Sequence, residues 1–325
     1  MVKNKIKFEI LFLFLLLIVI VGCAQQDGKS SREETITGTD GLTIEFLEGY
    51  PQDRYIVSGS AEPISVMLDV RNKGTFPKEN EQNILGFGQI YLSGFDNRII
   101  AMEQVKSLSG LNLPAATSLY PEGGFDTVRF NGYMNIGYLE VDRYEPTIQA
   151  TICYPYSTRL GTSVCIDPFP YDETQEKVCE MGTYTFSSQG APVAVTRIEQ
   201  EASTNKIQFK ITIKNVGDGD IISLGKLAAC NPLYGAALER DDFDKVALAS
   251  VTLGSVPILG SCGPFAEGSG NIIKLYKGEG YVICSVDIAY FGGPGSAYTT
   301  PLNIELQYGY RSTISKQIKI SKFTS

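Results

Sequence analysis

The chain has no histidine and no tryptophan among its 325 residues. Without histidine there can be no Ser-His-Asp or Cys-His catalytic arrangement and no His-ligated zinc. The commonest general base near neutral pH is missing too. Without tryptophan there is no indole packed on a disulfide, a mark of antibody-type domains, and no tryptophan-lined carbohydrate cleft. Asn-x-Ser/Thr sequons are absent, so an N-linked glycan coat is not expected. No CxxC or similarly tight cysteine spacing occurs, which argues against a thiolate metal cluster. Lys and Arg number 28 against 36 Asp and Glu, a net charge of -8. That balance argues against nucleic acid as a partner, which needs clustered cations on one face. It also disfavours polybasic attachment to anionic lipid.

Long apolar runs are likewise scarce, and the one present is at the start. Lys3, Lys5 and Lys7 precede an apolar stretch over 10–21, then Gly22 and Cys23. A basic segment, a short apolar segment and a small residue before the cut form the layout of a secretory signal. The ending Ile20-Val21-Gly22-Cys23 resembles the lipobox of exported lipoproteins. That resemblance implies a signal peptide over 1–23, with Cys23 lipidated as the new N-terminus. The other readings are an uncleaved anchor helix and plain secretion. A span needs about 20 apolar residues, and this run is shorter, with Glu9 interrupting its start. All three readings place the rest of the chain outside the cytoplasm, at the extracytoplasmic face of a membrane if anchored. Residues 24–41 follow as a polar, flexible tether.

Six cysteines remain beyond Cys23: Cys153, Cys165, Cys179, Cys230, Cys262 and Cys284. In an oxidising compartment an even set implies three disulfides. Cys153 and Cys165 flank an apparent turn at Arg159-Leu160-Gly161, which suggests a cross-strand Cys153–Cys165 bridge. Cys262 and Cys284 flank a candidate turn at Lys277-Gly278-Glu279-Gly280 and form the second expected pair. Elimination leaves Cys179–Cys230 as the third.

The rest of the chain reads as strands. Residues 42–46, 64–70, 193–198 and 207–213 alternate apolar and polar side chains, the signature of half-buried strands. Residues 98–110 and 234–247 are candidates for short helices. The chain also repeats itself. Arg71-Asn72-Lys73-Gly74 answers to Lys214-Asn215-Val216-Gly217. Ile148, Ala150, Ile152, Tyr154 and Tyr156 align at one constant offset with Leu302, Ile304, Leu306, Tyr308 and Tyr310, and Val164 and Ile166 with Ile318 and Ile320. The repeat divides the chain into modules at 42–167 and 191–321, joined by an acidic connector over 168–190. The fold class expected is all-β, with two tandem β-sandwiches.

The strand closing in Asn-x-Gly, present in both modules, resembles the CARDB-type immunoglobulin-like modules of prokaryotic surface proteins. The resemblance implies immunoglobulin-like sandwiches and a role in surface adhesion or display. It carries no catalytic residues, and the six cysteines and residues 75–120 fall outside its pattern.

Candidate chemistry is sparse. Asp218 and Asp220, and Glu239 with Asp241, Asp242 and Asp244, are the acidic clusters that could hold calcium, though neither matches an EF-hand loop. Gly28-Lys29-Ser30 lacks the first glycine of a phosphate loop, and Ser269 has no histidine to activate it. Tyrosines are plentiful: Tyr133, Tyr138, Tyr144, Tyr154, Tyr156, Tyr290, Tyr298, Tyr308 and Tyr310 serve either core packing or a partner surface. The expected function is non-enzymatic and cofactor-free: a membrane-anchored surface protein for adhesion, binding or display. An accessory lipoprotein of a transport or secretion complex is the alternative, and a carboxylate-based hydrolase the third reading.

Overall fold

Two strands of 20 residues each, Thr147–Ile166 and Tyr298–Gln317, pair antiparallel over their entire length and organise everything else. They belong to a computed structural model that describes residues 37–323, apart from 59–60, 139–141, 173, 175, 204, 234–237, 267, 269 and 291–296. At about 3.3 Å per residue each strand is roughly 65 Å long. On the outer side of the first long strand lie Gln89–Ser93 and then Val105–Ser107; on the outer side of the second lie Lys245–Leu253 and then Val256–Pro257. Asp220–Ile222 and Ile272–Lys274 attach alongside to complete an eight-stranded central sheet.

Each half adds an outer sheet of its own. The first runs Leu42–Phe46, Ala61–Asn72, Phe125–Asn135, Ile100–Met102. The second runs Thr183–Thr185, Val193–Ala202, Lys206–Asn215, Glu279–Asp287, Cys262–Gly263. Alternation works as read: Val66, Leu68 and Val70, and Phe209, Ile211 and Ile213, are buried in one continuous apolar core shared by both halves. Residues 98–110 are not helical. Ile100–Met102 and Val105–Ser107 are strands on two different sheets, and the described part of 234–247 holds only a three-residue 3-10 turn before Lys245–Leu253 begins.

The central pairing corrects the tandem arrangement. Pro155 lies opposite Gly309, Tyr154 opposite Tyr310 and Tyr156 opposite Tyr308. The sequence repeat relates Tyr154 to Tyr308 and Tyr156 to Tyr310, so exchanging the halves maps this set of pairs onto itself. A pseudo-two-fold axis therefore passes at Pro155 and Gly309. The modules at 42–167 and 191–321 lie side by side about that axis, and their last strands cross it. Beyond the axis, Cys165 donates its N–H to the Tyr184 hydroxyl and accepts from the Gln200 side chain, both in the second half. Reciprocally, Lys319–Lys322 lies between Arg54–Val57 and Arg143–Tyr144 of the first half. Neither half closes its core without the other's final strand.

The segments read as tether and connector are in part structural. The N–H of Gly38 donates to Ser188 Oγ, and its carbonyl accepts from Ala191. The Gly41 carbonyl accepts from Lys73. Residues 38–41 thus clip both halves together, and only 24–36 of the expected tether lies outside the described residues. Within 168–190, Thr183–Thr185 joins the second outer sheet, and Lys177 pairs with buried Asp167 at 2.8 Å.

At the axis the inner face carries a tyrosine quartet. Tyr154, Tyr156, Tyr308 and Tyr310 are buried, with ring centroids 5.9–6.5 Å apart. Their hydroxyls satisfy backbone groups at matching places in the two halves. Tyr154 accepts from the Leu42 N–H and Tyr308 from that of Val193, each at the start of an outer-sheet strand. Tyr156 accepts from Phe76 and Tyr310 from Gly219, each four residues beyond an Asn-x-Gly asparagine. The glycines of that motif are now explained by close approach. A Cβ on Gly74 would lie 1.9 Å from the Tyr156 hydroxyl oxygen, and one on Gly217 would lie 2.4 Å from that of Tyr310. Asn72 is fully buried, its amide donating to the carbonyls of Phe76 and Leu113.

Burial drives the phenol pKa of Tyr154 and Tyr308 well above 10.0, raises that of Tyr156 also, and pushes Tyr310 up to about 12. The folded chain therefore holds protons that the unfolded chain releases above pH 10. The quartet's contribution to stability should be flat with pH up to that value and fall beyond it by about 1.4 kcal/mol per pH unit for each quartet tyrosine. Denaturant titrations at stepped alkaline pH, read by tyrosinate absorbance free of tryptophan overlap, measure this. Gly74→Ala should cost about 2–3 kcal/mol through overpacking. Gly137→Ala, where an added Cβ meets nothing within 4 Å, should be near neutral in the same assay.

Candidate functional site

On the opposite face of the central sheet the axis carries no side-chain layer. Pro155 and Gly309, two residues that ordinarily weaken strands, face each other there. Two 3-10 segments, one from each half, lie over this floor: Glu79–Phe87 and Leu224–Cys230. Each follows its module's Asn-x-Gly, so the two occupy comparable places in the halves.

The first segment is fixed by a capping box in which the Lys78 N–H donates to Glu81 at 3.2 Å, and by buried Leu85. Arg159, from the long strand below, donates to both Glu81 oxygens at 2.8 and 3.2 Å and to Glu305 at 3.2 Å. The hydrogen-bonded guanidinium holds the Glu81 carboxyl below its usual range. The second segment is seated by Leu227 on bare backbone, since a Cβ on Gly309 would come within 2.9 Å of the Leu227 side chain. Its last residue, Cys230, is buried and bridged to Cys153 of the floor.

Between the segments runs a groove of about 570 Å³. Ile84, Phe87, Tyr91, Leu224, Leu227 and Pro155 give it an apolar lining. Tyr91 is buried and donates its hydroxyl to Gln89 at 2.7 Å; Gln89 and Asn231 supply the polar positions. Phe87 is 72% exposed at the rim. A volume in the few-hundred-Å³ range with few polar groups matches small-ligand sites in general.

The cysteine pairing differs from the sequence expectation. Cys153 joins Cys230, and Cys165 joins Cys179, in place of Cys153–Cys165 and Cys179–Cys230. The supposed turn at Arg159-Leu160-Gly161 lies inside the uninterrupted strand Thr147–Ile166. Twelve residues along one strand separate two cysteines by about 40 Å, far beyond the roughly 6 Å between Cα atoms that a disulfide spans. Cys262 and Cys284 stand directly opposite each other on neighbouring strands and are bridged. Cys23 lies outside the described residues.

The calcium candidates are not brought together as a cage. Asp220 is bonded by Arg311 at 2.6 and 3.1 Å. Asp241 pairs with Lys245 and Lys274. Asp242 accepts from the Glu239 N–H and pairs with Lys226. Asp244 adopts a left-handed backbone. No group of three or more potential metal ligands occurs among the described residues. Tyr154, Tyr156, Tyr308 and Tyr310 pack the axis, half-buried Tyr144 accepts from the Asp96 N–H at 2.8 Å, and Tyr133, Tyr138, Tyr290 and Tyr298 are exposed. The groove residues escaped the sequence reading because short 3-10 segments of nine and seven residues do not carry the 3.6-residue apolar period of an α-helix. The two segments' parallel positions after Asn-x-Gly were the available signal.

Comparison with protein-family models finds no match to this chain, and comparison with curated proteins finds none either.

Peptide mapping without reduction should recover Cys153 joined to Cys230 and Cys165 joined to Cys179. Replacing both Cys153 and Cys230 by Ser should lower the unfolding free energy by about 4 kcal/mol, as expected for a closed loop of 77 residues. Guanidinium denaturation of the oxidised chain measures it.

Proposed function

We propose that this chain is a non-enzymatic binding module held at the extracytoplasmic face of a membrane, presenting the groove on its pseudo-two-fold axis. The observation that carries the reading is that groove: an uncharged, apolar concavity built jointly by both halves on rigid sheet. Three disulfides support an oxidising compartment. The six bridged cysteines leave Cys23 as the single unpaired one, consistent with a lipid attachment point rather than a fourth bridge. The absence of histidine from the sequence disfavours acid–base chemistry near neutrality. Two sheet-on-sheet halves closing on Asn-x-Gly are compatible with an immunoglobulin-like, CARDB-type origin for each, joined edge to edge. No helix among the described residues is long and apolar enough to cross a membrane, so attachment rests on the N-terminal segment.

Mass spectrometry of the chain purified from membranes should give a mature N-terminus at Cys23 carrying a diacylglyceryl group. An intact Met1 would remove the lipid anchor. Recovery of a stoichiometric integral-membrane partner from the same preparation would replace stand-alone display by an accessory role in a membrane complex.

A further inference from the structure

Two glycines in the groove wall have no backbone reason to be glycine. Gly86 lies in the first 3-10 segment and Gly225 in the second; neither has a left-handed φ, and a Cβ added to either meets no heavy atom within 4 Å. They differ in this from Gly309 on the floor, where Leu227 leaves no room. Glycine inside a helical segment is less stable than alanine. At these two places, one from each half, the chain forgoes helix stability, and what it gains is open volume.

The charges are distributed to match. Along the floor, Arg159 with Glu81 and Glu305 stands at one end and Arg311 with Asp220 at the other. No Asp, Glu, Lys or Arg lines the space between, in a chain whose net charge is -8. The Cys153/Arg311 and Arg159/Glu305 pairs stand six residues, about 20 Å, apart, and the Pro155/Gly309 and Ser157/Gln307 pairs between them on that face carry no charge. A charged ligand would lose its hydration there with no counter-charge to replace it. A docked protein would need an interface of about 1,200 Å² or more, and so would have to cover the ion pairs at both ends.

From this charge pattern and from the two glycines, we propose that the groove is a binding site for a compact, uncharged, mainly apolar small ligand of one or two rings. Gln89 and Asn231 are positioned to meet a polar substituent. The proposal rests on the reading of the groove as the binding surface and adds the ligand class.

Benzophenone, neutral and photoreactive, is the probe. Irradiated with the full chain in its membrane, it should label saturably, with adducts confined to peptides holding 84–91 and 224–228. Benzoylbenzoate, the same ring system carrying a carboxylate, should label them about tenfold less. Gly86→Phe and Gly225→Phe should each cut the adduct about tenfold by filling the groove, with no fall in the thermal midpoint read by circular dichroism. Gly225→Ala, which adds one methyl, should keep it. Unlabelled naphthalene competing on the unaltered chain gives the same readout without any variant. Non-saturable or scattered labelling, equal labelling by benzoylbenzoate, or full labelling of both phenylalanine variants would overturn the proposal. Anchoring at Cys23 is read separately by the N-terminal mass and survives such a result.

Discussion

The antiparallel pairing of the two long strands about Pro155 and Gly309 is the constraint on which the rest depends. It merges the halves' inner sheets, and it carries each final strand onto the other half, where Cys165 meets Gln200 and Ile320 meets Tyr144. A one-residue slip of either long strand would turn its side chains to the opposite face, burying Arg159 or Glu305 while expelling two of the four tyrosines. The register is therefore set by burial, and the quartet hydroxyls sharpen it, because each must reach one particular backbone group.

That pairing also explains why the two faces of one sheet at one place are so different. Inward, the axis is filled with aromatic rings and the glycines that make room for them. Outward, proline and glycine leave a bare floor, so anything resting on it has to come from neighbouring loops. The 3-10 segments fill that role, tied down by Arg159 on one side and by the Cys153–Cys230 bridge on the other. A rigid, stiffly supported concavity follows from the same residues that join the halves.

Much of this was legible in the sequence. Alternation located the strands, and the constant offset from Ile148 to Ile320 located the repeat, because both reflect side-chain period, a local property. The partner of each strand was not legible. An internal repeat looks the same whether the copies lie in tandem or pair about an axis, and only long-range register separates the two. Gly161 looked like a turn because glycine usually breaks strands. In the structure it lies across from Asn303, whose side-chain oxygen would be 3.1 Å from an added Cβ. The disulfide reading inherited that error. The tyrosines at 154, 156, 308 and 310 share a face by alternation, but their meeting as one cluster needed the pairing.

The halves are related but not identical, and this bears on the groove at their junction. A site on the axis of a true homodimer presents each contact twice and accepts a lopsided molecule equally well in two opposed poses. Here Gln89 stands on one side, where the other side has Ala247, each paired with a long strand at corresponding positions. With both halves in one chain, each side can differ alone. A site that symmetry would have left ambivalent has thereby acquired a direction.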